Sequence, residues 1–92
     1  MSATTQVTER NNGEHRTYFA GEHKLTPETV EAVYVAWPDG LISVCPVEWV
    51  EERHTYSDHG ANRSVLSDVP YVSTEANGVA VRIKLSRLEI VI

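Results

Sequence analysis

The sequence predicts a mainly β domain, and three features predict it. β-Branched and aromatic residues cluster in short runs such as Val33-Tyr34-Val35. The tetrapeptide Trp37-Pro38-Asp39-Gly40 and the dipeptide Asn77-Gly78 are strong turn signals between such runs. Val79, Val81, Ile83 and Leu85 then alternate with Ala80, Arg82, Lys84 and Ser86, the period of a half-buried strand with Arg82 and Lys84 on its wet face. The expected architecture is a single small antiparallel sheet or partly closed barrel of five or six short strands, with at most one short helix.

Residues 1–13 are rich in Thr, Asn and Ser and poor in large apolar groups, so they are expected to be a flexible lead-in to one β-rich domain over 14–92. Thr17-Tyr18-Phe19-Ala20, closed by Gly21, reads as a first strand. Thr26-Pro27-Glu28 has the form of a helix start, with Thr as cap, Pro at the first position and Glu favourable to the dipole. The Val-rich run that follows converts this to a single turn leading into a strand over 32–37. In the next turn Pro38 presets φ, Asp39 suits the third position and Gly40 supplies the exit. Leu41 to Cys45 returns as the second arm of a hairpin, and Pro46 ends that strand or marks a sheet edge. Val47 to Arg53 fits either a helical turn or a strand.

His54 to Arg63 is polar, contains Gly60 and Asn62, and reads as an exposed loop. Ser64 to Leu66 and Val69 to Ser73 are short extended pieces, or one strand bent at Pro70. Beyond Leu85 the apolar set moves to Leu88, Ile90 and Ile92. The alternation slips by one at Ser86-Arg87, which predicts a bulge or bend there.

Ninety-two residues suffice for one small core. The lone Cys45, between Val44 and Pro46, reads as a buried thiol. No 18-residue apolar stretch exists, so no membrane span is expected. The polar N-terminus carries no export signal, which makes the cytoplasm the expected compartment. The net charge of −5 originates between Glu22 and Glu52, where Glu22, Glu28, Glu31, Asp39, Glu48, Glu51 and Glu52 face only Lys24. A localised acidic band attracts a basic partner and disfavours binding to free nucleic acid.

No catalytic motif accompanies the band. Glu52, His54, Asp58 and His59 are the best metal candidates, the basis for a rival reading as a small metal-dependent hydrolase, but they meet no known ligand spacing. Ser57-Asp58-His59 holds triad residue types, yet three consecutive residues cannot surround one reacting atom. No cofactor is expected, and the five glycines are isolated rather than grouped in a phosphate loop. Of the aromatic residues, Trp37 and Tyr56 are expected at the surface, and Tyr34, Trp49 and Tyr71 in the core. Arg82, Lys84 and Arg87 form a small basic strip, read as a solvated face or as a contact to a phosphate backbone.

Three segments carry a wider resemblance: the opening MSATTQVTERNNGEHRTYFAG, the middle AWPDGLISVCPVEWVEERH and the terminal VRIKLSRLEIVI. Taken together the chain resembles the small phage-encoded anti-CRISPR proteins directed against type I-F systems. The resemblance implies a non-enzymatic, stoichiometric inhibitor acting in the bacterial cytoplasm. Such proteins bind the guide-RNA-loaded surveillance complex, built from Cas7-type backbone subunits with Cas8- and Cas5-type subunits at one end, and block target-DNA pairing or nuclease recruitment. An acidic band can occupy Lys/Arg positions meant for phosphate. The residues expected to make the contacts are Glu48, Glu51, Glu52, Arg53, His54 and Asp58, with Arg82, Lys84 and Arg87 second and the guide-RNA backbone a possible target of the basic strip. Outside this family, the remaining alternative is a general β-rich acidic adaptor or phage structural protein.

Overall fold

A computed structural model describes residues 3–11 and 15–92. Its strands are β1 (Thr4–Asn11), β2 (Arg16–Ala20), β3 (His23–Leu25), β4 (Ala32–Ala36), β5 (Ile42–Pro46), β6 (Glu48–Asp58), β7 (Ala61–Ala76), β8 (Val79–Lys84) and β9 (Glu89–Val91). The chain is mainly β, as the sequence predicts. Six strands make one curled antiparallel sheet in the order β3-β2-β1-β9-β4-β5, and β6-β7-β8 make a second.

Local chemistry explains the connections. Thr26 to Val30 forms the expected single helical turn, with the Val30 N–H donating to the Thr26 carbonyl at 3.0 Å. In the β4–β5 hairpin the Gly40 N–H reaches the Trp37 carbonyl at 3.0 Å, and Asp39 accepts from the Leu41 N–H at 3.0 Å. The expected break after β8 is a 3-10 turn, Leu85–Arg87, which buries Leu85 and resets the alternation for β9.

Several expectations are corrected. Thr4–Asn11, expected to be a lead-in, is β1, an interior strand paired with both β2 and β9. Its Val7 is 1 % exposed, and this one apolar residue on the inner face anchors an otherwise polar strand. Residues 1, 2, 12 and 13 of that expectation lie outside the described residues. Segment 54–63, expected to be a loop, is the tip of a continuous hairpin, with Asp58 opposite Ala61. His59 (φ 49°) and Gly60 (φ 82°) form its two-residue turn, and Asn77 (φ 53°) with Gly78 (φ 78°) repeats that geometry. Positive φ at both central positions matches the right-handed twist of the flanking strands. The two short pieces around Pro70 are one 16-residue strand. Pro70 is tolerated because β8 ends at Lys84 opposite Tyr71, which leaves β7 paired only on its β6 side there.

The core is small. Val7, Tyr18, Ala20, Leu25, Val33, Val35, Cys45, Leu85, Leu88 and Ile90 come from the curled sheet and its 3-10 turn, while Val69 and Val72 come from β7. Strand β7 therefore crosses the open side of the half-barrel and fills it. Tyr34, expected in the core, is 59 % exposed because it alternates with Val33 and Val35, which take the inner face. Trp37, expected at the surface, packs against the core and donates from Nε1 to Ser43 Oγ at 2.7 Å. Val79 and Val81 are exposed rather than half-buried, since the end of β8 lies beyond the core.

Nothing lies within 4 Å of where a Cβ on Gly60 would sit, so a substitution there costs backbone strain alone. Gly60→Ala should destabilise the protein by about 1 kcal/mol without changing the fold. The guanidinium unfolding midpoint, with the far-UV spectrum as a control, checks this.

Candidate protein interface on the three-stranded sheet

Register sorts the nominated residues by face. Even-numbered β6 residues share one face with odd-numbered β7 residues and with Arg82 and Lys84 of β8. Glu48 and Lys84 both lie opposite Tyr71 in that register. The Tyr71 hydroxyl donates a hydrogen bond to Glu52 Oε2. The Arg82 guanidinium sits 4.7 Å from the Tyr71 ring centroid, and its Nη1 lies 3.5 Å from Glu48 Oε1. Glu48, Glu52, Arg82 and Lys84 thus meet around Tyr71, which sequence reading assigned to the core. The negative and positive nominees form one mixed cluster rather than two separate patches.

The cluster is graded in strength. The Glu48–Arg82 pair is half-exposed, at 59 % and 49 %. Exposed pairs contribute about 0–1 kcal/mol, so either partner can exchange for an external one at little cost. Glu52 is less free, because its hydrogen bond to Tyr71 is the main cause of a raised Tyr71 pKa, with burial second.

The other nominees are dispersed. Glu51 and Arg53 face the opposite side, across from Asp68 and Leu66, and Arg53 Nη1 donates to Ser64 Oγ at 3.0 Å. His54 is buried at 8 % exposure. Asp58, at the hairpin tip, lies 3.3 Å from Arg63 Nε and 3.6 Å from His59 Nε2. Arg87 stands apart on the 3-10 turn, beside a shallow pocket shared with Gln6, Pro38 and Glu89. Sequence reading missed Arg63; recognising His59-Gly60 as a turn would have found it, since that register places Arg63 diagonally across from Asp58.

The acidic run also disperses when folded. Glu22 and Asp39 sit in turns, Glu28 and Glu31 flank Thr29-Val30, and Glu48, Glu51 and Glu52 divide between the two faces of β6. Residues 55–66 contribute no buried side chain. The distal hairpin is therefore a two-stranded ribbon carrying Asp58, His59 and Arg63, with Arg53 at its base. The chain measures 47 × 32 × 23 Å, with a radius of gyration of 14.7 Å. A compact chain of this length would have a radius of about 12 Å.

The metal candidates do not converge. His54 and Asp58 share a face four residues apart, a separation of about 13 Å along a strand. No group of three His, Cys, Asp or Glu among the described residues is placed to hold an ion. Among the described residues no helix is long and apolar enough to cross a membrane. No family model, curated protein or solved structure matches the chain.

Beneath the sheet Tyr18, 1 % exposed, donates to Glu9 Oε2 at 3.3 Å, and Arg16 Nε lies 3.5 Å from Glu9 Oε1 as an ion pair without hydrogen-bond alignment. Burial first and Glu9 second push the Tyr18 pKa well above the usual phenol range. Both Tyr18 and Tyr71 hold their protons more tightly folded than unfolded. Their contribution is complete below about pH 10 and is lost as pH rises above it. Urea-unfolding stability should accordingly fall above pH 10, and Tyr18→Phe should flatten that fall.

Proposed function

We propose that the protein is a non-enzymatic binding module that attaches to the type I-F CRISPR RNA-guided surveillance complex and hinders target-DNA recognition in the bacterial cytoplasm. The observation that carries the reading is the β6–β7 ribbon with the mixed cluster at its base. A two-stranded element without buried residues over 55–66 presents side chains to a partner on both faces. The opposite charges at its two ends, Asp58 with Arg63 at the tip and Glu48 with Arg82 at the base, give register and orientation to a docked complex. The weak Glu48–Arg82 pair can open, releasing an acid towards Lys/Arg side chains of a Cas7-, Cas8- or Cas5-type subunit and a base towards guide-RNA phosphate. The resemblance of the whole chain to type I-F anti-CRISPR proteins supplies the identity of that partner.

The test is target-DNA binding by purified type I-F complex with and without excess protein, beside co-migration. Co-migration with loss of DNA binding is expected; absence of co-migration would overturn the reading. Intact DNA binding in a co-migrating complex would move the action to nuclease recruitment. Exchanging the two exposed charges, Glu51→Lys with Arg53→Glu, should weaken binding about tenfold or more while leaving the unfolding midpoint within about 0.5 kcal/mol of wild type.

A further inference from the structure

Parity assigns the backbone groups of β7. The His59-Gly60 turn closes on Asp58 opposite Ala61, so that pair exchanges both ladder bonds and odd-numbered β7 residues bond to β6. The Asn77-Gly78 turn closes in the same way on Ala76 opposite Val79, so even-numbered β7 residues bond to β8. Strand β8 reaches only as far as Tyr71. Pro70, the first even-numbered residue beyond it, has no N–H to leave unpaired. Further out, the N–H and C=O groups of Leu66, Ser64 and Asn62 point away from β6 and meet no backbone partner among the described residues. Strand β2 approaches β7 at Ser67, whose own backbone bonds to β6 and whose hydroxyl accepts from the Arg16 N–H at 3.1 Å. Beside that contact, residues 66–68 line a cleft of about 310 Å³ with β2, which leaves room along the edge.

The open stretch lacks the usual protection of an edge. Unpaired N–H and C=O groups template pairing with another strand unless charge, bulges or cover blunt them. Asn62, Ser64 and Leu66 carry no charge, and Leu66 is 40 % exposed. Arg63, the one ionised residue between Ala61 and Ser67, lies on the other face and pairs with Asp58 at 3.3 Å. At the inner end of the open stretch, Glu51 and Asp68 stand directly opposite each other on the face that carries Leu66. Both are exposed, and neither carboxylate has an ion pair or hydrogen bond among the described residues. Like charges so placed, with Cβ atoms about 5 Å apart, repel. Arg53, the nearest cation in the register, directs its Nη1 to Ser64 Oγ instead.

We infer that the distal edge of β7 receives an extended segment of a partner polypeptide, which pairs antiparallel with residues 62–68, continues the sheet where β8 stops and sets a Lys or Arg beside Asp68. Main-chain hydrogen bonds hold such a strand and the alternate side chains select it. Residues directly opposite share a face, so the incoming cation precedes by two positions an apolar residue that covers Leu66. The cation relieves the repulsion between Glu51 and Asp68. A second copy using the same edge cannot supply it. Even-numbered residues would meet even-numbered residues, and none of Asn62, Ser64, Leu66 and Asp68 is a cation. The inference rests on the reading of the β6–β7 ribbon as a protein interface and names the form of the partner there, without depending on which protein supplies it.

Selection of a display library of random peptides on the immobilised protein, followed by fluorescence-polarisation titration of the enriched peptides, tests it. Those peptides should carry a Lys or Arg two positions before an apolar residue. Ser64→Pro removes one outward N–H at an edge position, leaves the β6 ladder intact and should weaken binding about tenfold. Asp68→Lys should also weaken binding about tenfold, while the unfolding midpoint holds or rises because the like-charge pair is gone. Failure to enrich any peptide overturns the inference, as do peptides that bind both variants as tightly as wild type. Self-association of the wild type that Ser64→Pro abolishes would assign the edge to a second copy and overturn it too. Co-migration with the type I-F complex is a separate measurement, so failure of the selection and failure of the proposed function are distinct results.

Discussion

The structure depends on the burial of Val69 and Val72 beneath the curled sheet. A six-stranded half-barrel leaves an open apolar side that water would otherwise fill. Strand β7 covers it, and only its central residues do so, because a 16-residue strand is far longer than the gap. The surplus on one end becomes the ribbon with β6, and on the other the pairing surface for β8. One strand therefore contributes core and presents surface, and the placement of every charge on β6 and β8 follows from its register.

The charged cluster illustrates how register redistributes sequence. Glu51 and Glu52 are neighbours in the chain but face opposite sides, whereas Glu48 and Arg82, thirty-four residues apart, become partners. Tyr71 makes this possible by offering its hydroxyl to Glu52 and its ring face to Arg82. A phenol between an acid and a base holds opposite charges in place without burying either. The surface is accordingly patterned by sign at the scale of single side chains, which favours orientation of a partner over bulk attraction.

What could be read in advance was whatever short-range chemistry dictates. Trp37-Pro38-Asp39-Gly40, Asn77-Gly78 and the phase slip at Ser86-Arg87 each specify a local backbone, and each produced the expected turn. Strand β1 was illegible because its polar residues carry no apolar alternation, and its place in the sheet rests on backbone pairing with β2 and β9 and on the single buried Val7. The ribbon was illegible for a different reason: with both faces wet, its strands lack apolar alternation, and His59 tolerates positive φ without the Asn-Gly signature. Of the candidate interface, residue types were visible but faces were not, since assignment to a face needs the strand register that the His59-Gly60 turn sets.

Pairing between β1 and β9 also governs how the protein reaches this state. Thr4 lies opposite Val91, so the curled sheet closes only when segments separated by more than eighty residues meet. Hairpins such as β4–β5 and β6–β7–β8 can form from neighbouring chain on the microsecond scale. The half-barrel cannot, because its two halves, β3-β2-β1 and β4-β5, are joined through β9 alone. Closing the half-barrel therefore depends on the longest-range pairing in the chain, the kind of high-contact-order contact that slows folding.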